Sequence, residues 1–382
     1  MKWKNKGHEF DYIGNTFSKG QKIYIYGASQ LGKALYDKLK FLDCVNAFID
    51  NSPEKIGNYF CGKEVLSLEQ FIRGDKKKDI VVLAMSTVNV PQIKRQMLLN
   101  GFEEGKNLFT FDVFEEFYLP IFALYSWDKM YIPSISFLPT TMCNLNCRGC
   151  LAFVPLNKSK CFKDVDEMKK DIDGFFANID CVGLFHFSGG EPFMYPSLAE
   201  LVTYCNVNYC DKIATIGVTT NGTVNPSKEL LKVLKKSSAH VWLDDYRASV
   251  ELARDRMENI ENAMREMGIP VTVNKVDKWM EISSNEIEKK EEKLIDKCNR
   301  CVVPYWTLKN QRLYGCNYSE YATEAQIIED NENDYWDLNS VENKKVLLEF
   351  IMGYTDLGYY SFCERCNGYV GNFEFIPVAE QI

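Results

Sequence analysis

Fourteen cysteines against three histidines (His8, His186 and His240) set the chemistry open to this 382-residue chain. No histidine lies close in sequence to the cysteine groups. A metal site here is therefore mainly thiolate, which favours iron–sulfur or zinc. Three cysteines form a tight triplet, Cys143-Asn144-Leu145-Asn146-Cys147-Arg148-Gly149-Cys150. Thiolates at that spacing can wrap three corners of a cubane cluster, leaving the fourth iron without a protein ligand. An open metal position can bind and activate a small molecule. Taken alone, the triplet also reads as a zinc site short of one ligand, or as buried structural thiols.

A second group lies downstream. Cys298-Asn-Arg-Cys301 precedes a short hairpin pattern, Cys316 ends it, and Cys363-Glu-Arg-Cys366 follows later. Four thiolates from these five would complete a tetrahedral or cubane site. From spacing alone, paired Cys-x2-Cys motifs read as zinc.

The elements that must position these groups are strands and helices in alternation, which argues for parallel sheets with helices on their faces. In the first third, strands are expected at Lys22–Tyr26, Val45–Asp50 and Asp79–Met85, with helices from the Gly27–Gly32 turn to about Phe41, at Ser67–Arg73 and at Pro91–Asn100. An aromatic, proline-containing stretch, 120–133, reads as a linker. The alternation restarts with strands at Ile135–Leu138, Val182–Phe187, Lys212–Thr219, His240–Leu243 and Pro270–Lys275. Helices Asp164–Asn178, Ser197–Asn206, Ser227–Lys236 and Val250–Met267 fall between them. Beyond Ser283 come a charged helix from Asn285 to about Lys297, a hairpin around Asn310-Gln311, an acidic loop over 320–340 and a helix Val341–Met352.

Two strand ends carry further motifs. Ser188-Gly189-Gly190-Glu191-Pro192 follows the second strand of the repeat, where glycines let backbone groups approach a ligand closely and where β/α folds place their ligands. By itself such a segment is more often only a turn. Asp244-Asp245-Tyr246-Arg247 ends a later strand, where a planar guanidinium could grip a carboxylate and the aspartates could bind substrate hydroxyls; a solvated loop is the competing reading. His186 reads as a satisfied core histidine.

The triplet matches the Cys-x3-Cys-x2-Cys signature of the radical S-adenosylmethionine (SAM) superfamily. Ser188–Pro192 is similar to that family's Gly-Gly-Glu motif, and Thr219-Thr220-Asn221-Gly222 to its strand-end Thr-Asn-Gly. The resemblance spans roughly 134–280. It implies a [4Fe–4S] cluster on Cys143, Cys147 and Cys150, with SAM chelating the open iron. It also implies SAM contacts from Ser188, Gly189, Gly190, Glu191, Thr219 and Asn221, with Arg247 proposed for the SAM carboxylate, and reductive cleavage to a 5′-deoxyadenosyl radical. The family often has an aromatic residue where Gly149 stands, so adenine packing there departs from the pattern. Cys298 or Cys301, with Cys316, Cys363 and Cys366, resembles the twitch form of SPASM auxiliary-cluster domains and implies a second [4Fe–4S] cluster. The family's usual hairpin glycine is Gln311 here. An electron donor such as flavodoxin or ferredoxin is implied as partner.

Gly27-Ala28-Ser29-Gln30-Leu31-Gly32, with Asp50 ending the next strand, suggests a Rossmann-like unit, although Ser29 replaces the second glycine of the full fingerprint. Lys22–Met85 looks similar to Rossmann-like domains attached to surface-glycan and sugar-modifying proteins. A scaffold or dimerisation role without ligand is the competing reading.

The fold class is α/β in three expected units: a Rossmann-like parallel sheet (1–125), a partial (β/α)6 radical SAM barrel (126–282) and a small auxiliary-cluster domain (283–382). A net charge of −8 disfavours nucleic acid and anionic lipid. The basic start is not followed by an apolar stretch and no segment reaches the ~18 apolar residues of a membrane span, so a cytoplasmic protein is expected. The leading reading is oxidation or epimerisation of a small-molecule or glycosyl substrate. Peptide modification is the second enzyme reading, and a zinc-stabilised binding protein is the alternative of another class. Of the spare thiols Cys161, Cys181, Cys205 and Cys210, each reads first as a buried apolar residue.

Overall fold

Alternating buried strands and amphipathic helices build two compact units, Gly7–Pro133 with Ile179–Cys181, and Met1–Lys6 with Ser134–Asn178 and Val182–Ile382. The computed structural model describes residues 1–74, 78–283, 286–301, 305–340, 343–368 and 374–382.

In the first unit, a short helix α1 (Asp11–Gly14) precedes β1 (Ile23–Tyr26), α2 (Gln30–Leu39) and β2 (Val45–Ile49). Then come β3 (Tyr59–Phe60), β4 (Lys63–Leu66), α3 (Leu68–Ile72), β5 (Ile80–Leu83), α4 (Val90–Leu99) and β6 (Leu108–Thr110). The sheet order is β3-β4-β2-β1-β5-β6. All four residues of β1 and of β5 are buried, as befits central parallel strands covered on both faces. Ser29 caps α2, its side chain accepting from the Gly32 N–H, and Ser67 with Gln70 makes a capping box on α3.

The expected linker at 120–133 is instead helix α6 (Leu119–Trp127) and the start of strand β7 (Tyr131–Phe137); the short helix α5 (Phe111–Val113) and a π-turn over Phe114–Tyr118 lead into α6. Pro120 directly follows the π-turn, in which the Leu119 N–H reaches back to Phe114 O, so the helical run passes the proline ring at a widened turn. Leu119, Ile121, Phe122 and Ala123 are fully buried, so the apolar run is core.

In the second unit the repeat continues with α7 (Val165–Asn178), β8 (Cys181–Phe187), α8 (Leu198–Asn208), β9 (Ile213–Thr220), α9 (Lys228–Lys236), β10 (His240–Asp244), α10 (Glu251–Glu266) and β11 (Val271–Asn274). Next are β12 (Lys278–Met280), α11 (Glu291–Asn299), β13 (Thr307–Lys309), β14 (Arg312–Tyr314) and α12 (Asn317–Glu324). The chain ends with β15 (Tyr335–Asp337), α13 (Lys344–Ile351) and β16 (Phe375–Pro377). The large sheet runs β11-β10-β9-β8-β7-β13-β14-β15, and β12 pairs with β16. The hairpin beyond residue 283 thus extends the barrel sheet, within the same compact unit.

The tract expected as an acidic loop, 320–340, holds most of α12 and all of β15. Asn317, Tyr318, Ser319, Glu320, Tyr321 and Ala322 are buried on α12, and tertiary packing overrides the polar composition. The expected helix starts at Asn285 and Val341 lie outside the described residues; the helices themselves are Glu291–Asn299 and Lys344–Ile351. At the hairpin, Asn310 and Gln311 both take positive φ (52° and 59°). Their N–H groups donate to the buried Asp171 carboxylate at 2.8 and 2.7 Å, which holds the turn without glycine.

The two faces of the barrel strands differ. Phe185 and Phe187 are buried, with Phe185 packed against Phe175 and Phe176 of α7. On β10, Val241 and Leu243 are fully buried. The alternate positions Leu184, His186, Trp242 and Asp244 point the other way and are half-buried.

Candidate active site

The cysteine triplet lies in the loop after β7, facing the turn after β8. That turn is tight. A side chain at Gly190 would put its first carbon 2.1 Å from the Met142 carbonyl oxygen, and one at Gly189, where φ is +132°, 2.5 Å from that of Thr140. The close approach lets the Gly190 N–H donate to Thr140 O (2.9 Å) and the Glu191 N–H to Met142 O (2.8 Å). The turn therefore fixes the residues that lead into Cys143.

Glu191 is fully buried and pins a third segment to these two. Its Oε1 accepts from the Phe193 N–H (2.9 Å) and the Thr220 hydroxyl (2.7 Å), and its Oε2 from the Asn221 N–H (2.8 Å). Burial raises its carboxyl to about 7, and the three donors pull the other way. Its side chain thus serves the protein's own backbone. Asn221 extends the network: its Nδ2 donates to Asn144 Oδ1 (3.1 Å) and approaches Cys143 Sγ (3.7 Å), while its Oδ1 accepts from the N–H and hydroxyl of Thr223. Asn144 Nδ2 closes the ring on the Thr223 hydroxyl at 2.8 Å.

Of the remaining expected contacts, Ser188 meets the buried Tyr321 hydroxyl. The Thr219 hydroxyl is 2.7 Å from His186 Nε2. Arg247 uses its fork on Asp245, at 2.8 and 2.6 Å, so that guanidinium is already paired. Asp244 accepts from Tyr246 and Asn274 (3.0 and 3.1 Å). Burial lowers His186 to about 4, which keeps it neutral. Gly149 takes φ +67°, and the space beside it is held by Ile376 of β16, so an aliphatic side chain stands where an aromatic one would otherwise project.

The residues present fit an iron–sulfur cluster. Cys143, Cys147 and Cys150 lie together with Leu145, Tyr246, Val250, Ala253, Val378 and Ala379 in one apolar group. Cys143 Sγ accepts from the Leu145 N–H (3.4 Å) and Cys147 Sγ from Gln381 Nε2 (3.1 Å), the kind of N–H···S contact that supports a bound cluster. Burial raises Cys143 to about 12 and Cys147 to about 11; a bound metal is what makes such thiols ligands. Sequence reasoning missed Gln381, whose partner lies 234 positions away.

Cys298, Cys301, Cys316, Cys363 and Cys366 all line one cavity of ≈ 150 Å³, with Tyr318, Tyr360 and Phe362 among its walls. Cys316 is the N-cap of α12, and Cys363 lies in a 3-10 turn, Ser361–Glu364. The thiol of Cys363 hydrogen-bonds Cys298, which lowers Cys298 and raises Cys363. Lys297 Nζ donates to the carbonyls of Cys363 (2.9 Å) and Cys366 (2.7 Å) and holds that pair in place. Among the described residues, no three His, Cys, Asp or Glu side chains are grouped so as to hold a single metal ion. The spare thiols divide: Cys181 and Cys205 are buried as expected, but Cys161 and Cys210 are exposed.

The first unit has its own cavity, ≈ 690 Å³, lined by Gly27, Ser29, Asp50, Lys55, Ser86 and Asn89 among others. A side chain at Gly32 would meet Gly27 O at 1.9 Å, so the glycine turn packs helix on strand. Asp50 is tied by the Ala28 N–H (2.9 Å), the Ser52 N–H (2.9 Å) and Lys55 (3.1 Å). No helix among the described residues is long and apolar enough to cross a membrane.

No curated protein sequence matches the chain. Among solved structures it is similar to SuiB of Streptococcus suis bound to S-adenosylmethionine, at 18% identity and TM-score 0.33. That match covers 56% of this chain and 47% of SuiB, so the chain spans about half the length of that relative. It is similar to BtrN in complex with AdoMet and 2-DOIA, at 16% identity and TM-score 0.42 over 63% of this chain and 95% of BtrN. A third similar structure is anSMEcpe with bound AdoMet and a Cp18Cys peptide, at 12% identity and TM-score 0.41 over 61% of this chain and 84% of that one. Residues 137–283 match the sequence model of the radical SAM superfamily; with the cysteine triplet, the Ser188–Glu191 turn and the Thr219–Gly222 turn all inside that stretch, this chain carries a radical SAM domain there.

Proposed function

We propose that the chain is a radical SAM oxidoreductase or epimerase acting on a carbohydrate-type substrate, a surface glycan or a nucleotide sugar. It carries a second [4Fe–4S] cluster in the 283–382 region, on Cys316, Cys363, Cys366 and either Cys298 or Cys301. The observation that carries the second site is the gathering of all five cysteines around one cavity. When bound, the first cluster and SAM supply a 5′-deoxyadenosyl radical that takes a hydrogen atom from the substrate.

The chain's own residues position that chemistry. The Gly189-Gly190 turn brings backbone groups beside the cysteine loop for the methionyl amine, and Glu191 with Asn221 locks the turn to the loop. Ser188 and Thr219 stand at the strand ends beside it. Arg247 would reach the SAM carboxylate by exchanging Asp245 for it. The half-buried face of the strands presents His186, Trp242, Asp244 and Asn274, a polar and aromatic wall suited to hydroxyls and to the apolar face of a sugar ring. Exposed Cys161, whose backbone bonds Thr140 and Thr141, is the spare thiol beside the site and the hydrogen donor that an epimerisation would need. The ≈ 690 Å³ cavity of the first unit supports a nucleotide-sugar or glycosyl ligand there.

Anaerobic reconstitution tests this reading. About eight irons per chain are expected, with 5′-deoxyadenosine formed on adding SAM and dithionite, or reduced flavodoxin or ferredoxin as the natural donor. Nucleotide sugars should raise deoxyadenosine formation and unrelated peptides should not; the reverse would assign the chain to peptide modification. About four irons plus zinc would make the C-terminal site structural.

A further inference from the structure

Residues 378–382 lie along the cysteine loop like an added strand. The Arg148 N–H donates to Glu380 O (2.7 Å), the Ile382 N–H to Asn146 O (3.0 Å), and Cys147 and Gln381 form an isolated antiparallel bridge. Val378 and Ala379 pack into the apolar group that surrounds the three cysteines. Within this strap the Gln381 side chain turns inward. Its Oε1 accepts from the Asn146 N–H (2.9 Å), and its Nε2 donates to Cys147 Sγ (3.1 Å) and to Ala379 O (2.7 Å). The orientation is fixed by its partners: a backbone N–H requires the oxygen, and a carbonyl requires the NH2.

We infer that residues 378–382 act as a strap on the SAM-binding cluster loop, and that Gln381 is a positioning residue that holds and electrically tunes the Cys147 corner. A donor on a ligand sulfur withdraws electron density from it and favours the reduced cluster, so the bond raises the cluster's potential. The bond belongs to one corner of a cluster that must be reduced before SAM is cleaved. Nothing in the Cys-x3-Cys-x2-Cys spacing supplies it.

The test uses the full reconstituted chain and three variants, with iron per chain and the midpoint of the SAM-responsive electron paramagnetic resonance signal as readouts. Gln381→Glu keeps an acceptor for the Asn146 N–H but cannot donate to sulfur. Gln381→Met keeps the length and removes both functions. Gln381→Asn restores an amide. Gln381→Glu is expected to keep its iron and shift the midpoint to more negative potential. Gln381→Met is expected to shift it in the same direction and to lose iron from this cluster faster under a chelator. Gln381→Asn should fall between these and wild type. A variant without the donor that keeps wild-type iron, midpoint and chelator resistance overturns the inference. If Gln381→Glu does not hold the cluster, Gln381→Met decides on the same criteria. Wild type without a SAM-responsive signal would instead overturn the assignment of the cluster to Cys143, Cys147 and Cys150.

Discussion

Substituting Glu191 by Gln tests whether the motif acid works by tying three segments together. The carboxylate accepts three donors: the Phe193 N–H and Thr220 hydroxyl on one oxygen and the Asn221 N–H on the other. Whichever way a glutamine amide is turned, one backbone N–H, of Asn221 or of Phe193, faces another donor in a site with no water access. A buried unsatisfied group of this kind costs about 1–3 kcal/mol, so a loss of about 2 kcal/mol in unfolding free energy is expected. The side chain of Asn221 also carries the links to Asn144 and Cys143, so the displacement reaches the cysteine loop. A misplacement of about 1 Å in a reacting geometry is worth about 100-fold in rate. The assay is the initial rate of 5′-deoxyadenosine formation at saturating SAM, with urea unfolding of the same preparation and iron per chain as controls. A Glu191→Gln protein with full iron, wild-type unfolding midpoint and a rate within about threefold would refute the reasoning.

Four further outcomes are expected. Because burial raises Glu191 to about 7 from the ordinary 4.5, its folded state favours the protonated form; its stabilising contribution is complete below about 4.5 and is lost as pH rises toward 7. Wild type measured against Glu191→Gln in urea at pH 5 and pH 7.5 should show that difference shrinking, and a constant difference would contradict it. Cys316→Ser should lose about four irons of about eight, whereas of Cys298→Ser and Cys301→Ser only one should do so; iron analysis of both single variants names the ligand. Lys297→Met removes the cation clamped on the carbonyls of Cys363 and Cys366 and should speed iron loss from the second site alone, followed by its own spectroscopic signal. Gly32→Ala drives a carbon to 1.9 Å from Gly27 O and should destabilise the first unit by more than 2 kcal/mol on the scale of overpacking, read by unfolding of the full chain while deoxyadenosine formation per folded chain persists.

Local spacing made much of the site legible. The cysteine triplet, the Gly-Gly-Glu turn and the Thr-Asn-Gly turn each lie within a few residues, because a cluster loop or a strand end is built from neighbours in sequence. The strands were legible for a related reason: β1 and β5 are apolar runs buried throughout, and β8 is mostly apolar with every residue but Leu184 and His186 buried. Helix α6 reads as linker in the sequence because proline ordinarily breaks a helix in mid-run, whereas here a π-turn over Phe114–Tyr118 precedes Pro120 and the helix continues past it. The acidic tract 320–340 was misread as loop because its composition is polar, while its burial on α12 depends on partners distant in sequence.

What the sequence by itself determined is therefore which cysteines are candidate ligands, the glycines that permit close backbone approach, and the alternation that calls for parallel sheets. What only the tertiary structure decided is how those groups are occupied and covered. It showed that Glu191 holds Thr220 and Asn221, that Arg247 is paired with Asp245, and that Ile376 sits beside Gly149. It also showed Gln381 reaching Cys147 across 234 positions. The physical reason is one of range. Spacing fixes geometry over a turn or two, whereas a hydrogen-bond partner hundreds of residues away is selected only when the chain has packed.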